Sequence, residues 1–130
     1  MIKYQAKVTE IGPLVSEFVE AGILVFFGID APEELREFSI IHDGTTLVEP
    51  VSPGDFFFLD DTKYKILAVG DVANLNLSNL GHFIIKFNGS DVVEMPGDIC
   101  SEAGILPEIR VGMRLEISGE LPAGHFPTLF

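Results

Sequence analysis

The sequence predicts a mainly β protein, a single-domain β-barrel or barrel-like sandwich with two short helices. Three observations predict it. Short apolar or alternating runs recur along most of the chain, as half-buried strands do. Turn pairs separate them: Pro53-Gly54, Asn88-Gly89 and Pro96-Gly97. Helical patterning is confined to two stretches, too few for a doubly wound α/β sheet. The 130 residues suit one domain with a real core, and 47% hydrophobic residues exclude a disordered chain. We place the β domain at 1–118 and read 119–130, with two prolines and two glycines, as an irregular tail that Phe126 and Phe130 could dock.

The elements follow in order. Residues 3–11 begin with polar–apolar alternation and stop at Gly12-Pro13. Residues 22–29, Gly-Ile-Leu-Val-Phe-Phe-Gly-Ile, form a continuous apolar run that fits a buried central strand. A first helix is expected from Asp30 as N-cap, with Pro32 in its first turn and Glu33 at the capping-box position, ending near Glu37. Phe38-Ser39-Ile40-Ile41-His42 reads as a strand that the Asp43-Gly44 turn opens to solvent. Strands at 56–59 and 64–70 flank a hairpin tip, Asp60-Asp61-Thr62-Lys63. A second helix spans 72–80, with Val72, Ala73, Leu75, Leu77 and Leu80 as a rough apolar face and Gly81 as a left-handed stop. Strands at 82–87, 92–95, 98–100 and 113–118 complete the set.

Composition removes several function classes. Eight basic against twenty acidic residues give a net charge of −12, which repels phosphate backbones and argues against nucleic acid. That charge suits solubility, or a partner with a basic docking face. The longest apolar stretch, 21–29, is far short of the roughly 18 residues a bilayer span needs, and no signal peptide opens the chain, so no membrane insertion is expected. A lone cysteine, Cys100, forms no internal disulfide and fits a cytoplasmic setting; we read it as a buried, inert thiol. The absence of CxxC and HExxH argues against a metal site. No Walker loop, GxGxxG or GxSxG is present, so neither a nucleotide cofactor nor a serine nucleophile is expected.

Three histidines remain. His42, at the end of a strand, could use a neutral ring nitrogen to attack a phosphoryl group, or could be a surface residue closing the strand. His82, after Gly81, could donate to a neighbouring ring or a phosphoryl oxygen, or could complement the preceding helix end. His125 falls in the tail and reads as solvated. Asp43 could orient a ring but also serves as the first residue of a turn. Asp60-Asp61, without a third ligand, reads as a hairpin tip rather than a cation site.

An ordered set of matches now gathers. Phe38-Ser39-Ile40-Ile41-His42 is followed eleven residues on by Pro53-Gly54. Tyr4, Thr9, Ile11 and Gly12 precede it, with Ala31-Pro32-Glu33-Glu34-Leu35. Tyr64, Ala68-Val69-Gly70, Asn79-Leu80-Gly81-His82, Phe87-Asn88-Gly89, Pro96-Gly97 and Val111-Gly112-Met113 follow. From about Tyr4 to Ser118 the chain resembles the glucitol/sorbitol-specific IIA component of the bacterial phosphoenolpyruvate-dependent sugar phosphotransferase system. The resemblance implies a phosphoryl carrier that takes phosphate from the phosphocarrier protein HPr onto a histidine. It then passes the group to the IIB component of the IIB/IIC transporter. The phosphorylated histidine of the family falls on His42, and His82 matches a family histidine, which makes it the candidate helper. Some members carry a second histidine two residues after the first, where this chain has Gly44. Backbone amides of Asp43 and Gly44, the Thr45 hydroxyl and His82 are the local candidates to hold the phosphate. The competing reading is a non-enzymatic β-barrel that docks or regulates a protein partner, in which binding would be indifferent to His42.

Overall fold

The computed structural model describes residues 1–119. Eight strands and three short helices follow one another: β1 (Ile2–Ile11), α1 (Val15–Glu20), β2 (Ile23–Gly28), α2 (Glu33–Arg36), β3 (Ile40–His42), β4 (Phe56–Leu59), β5 (Thr62–Val69), α3 (Ala73–Leu80), β6 (Phe83–Lys86), β7 (Asp98–Ser101) and β8 (Arg114–Ser118). The strands close into a barrel in the order β1-β3-β2-β6-β7-β5-β4-β8. Closure removes free sheet edges, and eight strands leave an interior that side chains can fill.

β1 is long because it serves two neighbours. Its first half pairs with β8 and its second with β3, with the register shifting between Val8 and Glu10. Such an irregularity bends a strand around a barrel. Tyr4, Ala6 and Val8 alternate inward along it. β2 is buried along almost its whole length because both its faces are covered. Phe26 points into the barrel, whereas Phe27 joins Ala31, Ile41 and Leu35 in a smaller apolar cluster outside. β2 and β3 run parallel, as do β6 and β7. The β2–β3 pair therefore needs a crossover, and α2 lies within it.

Aromatic rings fill the middle of the barrel. Phe26 stacks on Phe83 with centroids 4.6 Å apart and meets Phe57 edge-on at 5.7 Å. Tyr64 and Phe87 extend the group at 4.8 Å. No helix among the described residues is long and apolar enough to cross a membrane.

Four local expectations change. A third helix, α1, follows Gly12-Pro13; its Val15 is buried, and Phe18 meets Phe38 at 5.7 Å. Helix α2 starts at Glu33 with Pro32 in the cap position and no side-chain cap, not at Asp30. Ala31 precedes a proline and is steered away from helical backbone, so a helix cannot run through it from Asp30. Residues 92–95 form no strand. Ser90 Oγ donates to the Val92 carbonyl and accepts from the Val92 amide, and Asp98 takes the Met95 amide, so side chains satisfy this backbone in place of a ladder. In α3 only Ala73 and Leu77 are buried, while Leu75 and Leu80 stay exposed. The tail over 120–130, with His125, Phe126 and Phe130, lies outside the described residues.

Candidate functional site

His42 ends β3, whose two neighbours hold it in register opposite Val8 on β1 and Gly28 on β2. It does not open to solvent as the sequence suggests: the residue is 0% exposed. The following loop folds back over the strand end. The Asp43 amide donates to the Lys7 carbonyl, the Val48 amide to the Lys3 carbonyl, and the Val51 amide to Asn74 Oδ1 on α3. A turn signal was present, but long-range bonds turn this one inward.

Two backbone groups hold the ring. His42 Nε2 lies 2.7 Å from the Gly81 carbonyl oxygen, and the Gly44 amide donates to Nδ1 at 3.0 Å. A carbonyl can only accept and an amide can only donate, so both partners select the same tautomer, with the proton on Nε2 and the lone pair on Nδ1. Burial pushes the ring pKa below its ordinary 6.5, against opposing pulls from the Gly81 carbonyl and the Asp43 charge. The imidazole is therefore neutral at pH 7.

Gly81 supplies that carbonyl from the C-terminal cap of α3, where it takes the left-handed conformation at φ 63° and its amide donates to the Leu77 carbonyl. A Cβ there would lie 2.9 Å from His42 Cε1. Glycine thus fits the turn and the close approach of the ring together. On the other side Tyr4 meets the His42 ring edge-on at 5.7 Å, and Phe26 lies 6.4 Å away on the core side. The Tyr4 ring also packs on Gly44, where a Cβ would meet ring carbon and hydroxyl oxygen at 2.7 Å. Its hydroxyl is buried and makes no hydrogen bond. Burial, and secondarily Asp43, pushes its pKa up to about 12.

A cleft of about 340 Å³ lies above this arrangement, and Tyr4, Gly44, Thr45, Leu77 and Gly81 line part of it. Three of these, Tyr4, Gly44 and Gly81, are the residues that enclose the imidazole. The cleft's lining carries one charged side chain, Asp30, and no cation. Exposed Ile29 and Leu80 stand at it.

The other candidates separate. His82 follows Gly81 directly, but its side chain goes the other way: Nδ1 lies 3.0 Å from the Phe26 carbonyl, and the ring stacks on Phe27 at 4.2 Å, outside the barrel. The two imidazoles make no hydrogen bond to each other. The Asp43 carboxylate accepts from the Lys7 amide and makes no hydrogen bond with the ring, on which it acts through its charge. Thr45 is exposed at the cleft. Cys100 is buried on β7, with its pKa raised by burial. Asp60 sits at the hairpin tip and bonds Arg114 and Arg110. No metal-holding group of acidic, histidine or cysteine side chains occurs among the described residues. The sequence singles out neither the Gly81 carbonyl nor Tyr4 as part of the site. Tyr4's one local signal is a polar-tipped ring at an inward position of an alternating strand, where an aliphatic residue would bury no hydroxyl.

The chain as a whole is similar to known proteins. Two relatives, the glucitol/sorbitol-specific EIIA components of Shigella flexneri and of Escherichia coli K12, are each 35% identical to the chain over 105 residues. The alignment covers 81% of this chain and 85% of each relative. The crystal structure of a phosphotransferase-system IIA component from Enterococcus faecalis V583 superposes with a TM-score of 0.77 at 26% identity, over 88% of this chain and 98% of that one. Residues 3–116 match the family model described as the PTS system glucitol/sorbitol-specific IIA component, and the chain belongs to that family.

Proposed function

We propose that His42 is the residue on which this phosphotransferase component carries its phosphoryl group, and that Nδ1 is the atom that accepts it. The chain is a phosphoryl carrier of a glucitol/sorbitol uptake system by its family. The observation that supports His42 is its neutral, tautomer-fixed ring beneath the Tyr4–Gly44–Gly81 cleft. With Nε2–H committed to a carbonyl, the lone pair free to react is on Nδ1, which accepts from the Gly44 amide in the resting protein.

The step follows. Nδ1 attacks the phosphorus of a donor phosphohistidine in line. The new N–P bond forms as the donor's N–P bond breaks. The donor ring, protonated on its other nitrogen, keeps the bond's electron pair and leaves as neutral imidazole. His42 becomes an imidazolium whose Nε2–H faces the Gly81 carbonyl, which stabilises the new positive charge. The Gly44 amide leaves Nδ1 and turns to a phosphoryl oxygen. No covalent assistance is needed, because the donor is already reactive; positioning and charge stabilisation carry the catalysis.

HPr is the donor and the IIB part of the membrane-bound IIB/IIC transporter the recipient, with the component working in the cytoplasm. The exposed Ile29 and Leu80 at the cleft offer an apolar landing for either partner. A cleft without lysine or arginine leaves positive charge to be brought by the partner. His82 is a positioning residue: its hydrogen bond to the Phe26 carbonyl and its stack on Phe27 steady the 81–82 segment, in which the Gly81 carbonyl holds Nε2.

Incubation with phospho-HPr, followed by mass spectrometry, tests the assignment. The phosphate should be acid-labile, base-stable and located on His42, and His42→Ala should take up none. Labelling of the alanine variant at the parent's level, or a phosphate located on His82, would reject it.

A further inference from the structure

Among the described residues, the Tyr4 hydroxyl is the one buried side-chain polar atom without a hydrogen-bond partner. The residue is 2% exposed. A desolvated hydroxyl with nothing to bond weakens the fold, and phenylalanine would fill the same space without that cost. The hydroxyl borders Gly44, whose amide sits on His42 Nδ1, and it lies at the wall of the cleft. Glycine at 44 leaves no side chain between the phenol and that amide.

We propose that Tyr4 is a catalytic residue whose hydroxyl donates a hydrogen bond to a phosphoryl oxygen on His42. The proposal rests on His42 being the acceptor. When the phosphoryl group takes the place of the Gly44 amide at Nδ1, its oxygens enter the space between Gly44 and the phenol. The orphan hydroxyl then gains a strong acceptor, and O–H···O⁻ bonds are among the stronger ones. No proton changes hands: the phenol remains protonated throughout, consistent with burial holding its pKa near 12. The hydroxyl is unsatisfied in the resting protein and bonded once charge arrives, which favours the transition state and the carrier state over the ground state. It also supplies a neutral donor in a cleft without cations.

Three variants and one spectrum test this. Tyr4→Phe should unfold at the parent's denaturant concentration or above it, because it removes an unpaired buried hydroxyl. Yet its transfer rate from phospho-HPr should fall on the order of tenfold to a hundredfold, and its phosphohistidine should hydrolyse faster. Unchanged rate and lifetime would overturn the proposal. So would a parallel loss of stability and transfer that Tyr4→Leu reproduces, because that pattern marks a packing role. In the parent, the Tyr4 hydroxyl proton should move downfield on phosphorylation while that of Tyr64, bonded to the Ile105 carbonyl, stays in place. A stationary Tyr4 proton would count against it even if Tyr4→Phe did not fold. His42→Ala serves as the separate arm: if that variant still accepts phosphate, the acceptor assignment fails, whatever Tyr4 does.

Discussion

A buried imidazole held by two backbone groups has its charge state chosen by the fold. The folded His42 pKa lies below the ordinary 6.5, so in acid the unfolded chain binds a proton more readily than the native one. Stability from this residue is therefore complete above about pH 6.5 and is lost as pH falls through the folded value. Urea unfolding between pH 7.5 and about pH 5 should show the parent losing stability more steeply than His42→Gln; equal slopes would contradict a neutral native ring. Phosphoryl acceptance should decline in acid too, because a protonated Nδ1 has no lone pair. Gly44 is the second residue-scale constraint. Gly44→Ala places a Cβ 2.7 Å from the Tyr4 ring and must displace one of them. The cost should be about 1–3 kcal/mol in chemical denaturation, as for other overpacked sites.

At the scale of elements, the helix α3 delivers the group that fixes the tautomer, through its last residue's cap. Gly81→Ala would force a Cβ into left-handed backbone at φ 63°, a cost of about 1–2 kcal/mol, and push it to 2.9 Å from His42 Cε1. The expected outcome is a lowered unfolding midpoint together with ¹⁵N shifts showing that His42 has lost its fixed Nε2–H tautomer. A tautomer ratio equal to the parent's would show that the carbonyl is not what sets it. This helix and its glycine stop were legible from residues 72–81, because both signals are local. The strand ending at His42 was legible as well, from its apolar run and the Asp43-Gly44 turn. Its burial was not, because the covering loop is held by Lys3, Lys7 and Asn74, residues far from 42 in sequence. Likewise α1 is not legible in the sequence, since six residues carry little periodicity, and 92–95 has the pattern of a strand although Ser90 and Asp98 bond its backbone. His42 is legible as a candidate from strand-end position and rarity; the carrier role proposed for it comes from the ordered family matches, and the proposed reactive nitrogen only from Gly44 and Gly81 in space.

Across the whole molecule, the proposed transfer requires the barrel to hold the covering loop in place while freeing the Gly44 amide. The loop between β3 and β4 is pinned at Asp43, Val48 and Val51, and finally by a buried ion pair. Lys3 Nζ on β1 donates to Asp55 Oδ2 at 2.8 Å and to the Pro50 carbonyl at 2.9 Å, and Asp55 also takes the Ser52 amide. Their side chains are 11% and 6% exposed, so each charge depends on the other. Removing one partner leaves the other buried and uncompensated, at about 3–5 kcal/mol. Asp55→Ala should therefore lower stability by about that amount in denaturant unfolding. Lys3→Met should cost less, because Asp55 keeps the Ser52 amide. The double variant Lys3→Met/Asp55→Leu should recover much of the loss, since well-packed apolar side chains can replace a buried pair with little penalty. The recovery has a functional counterpart: with the far end of the loop fastened by packing instead of charge, the Gly44 region keeps its anchors at Asp43 and Val48, and phosphoryl acceptance should return along with stability. If stability returns and acceptance does not, the ion pair does more than fasten the loop.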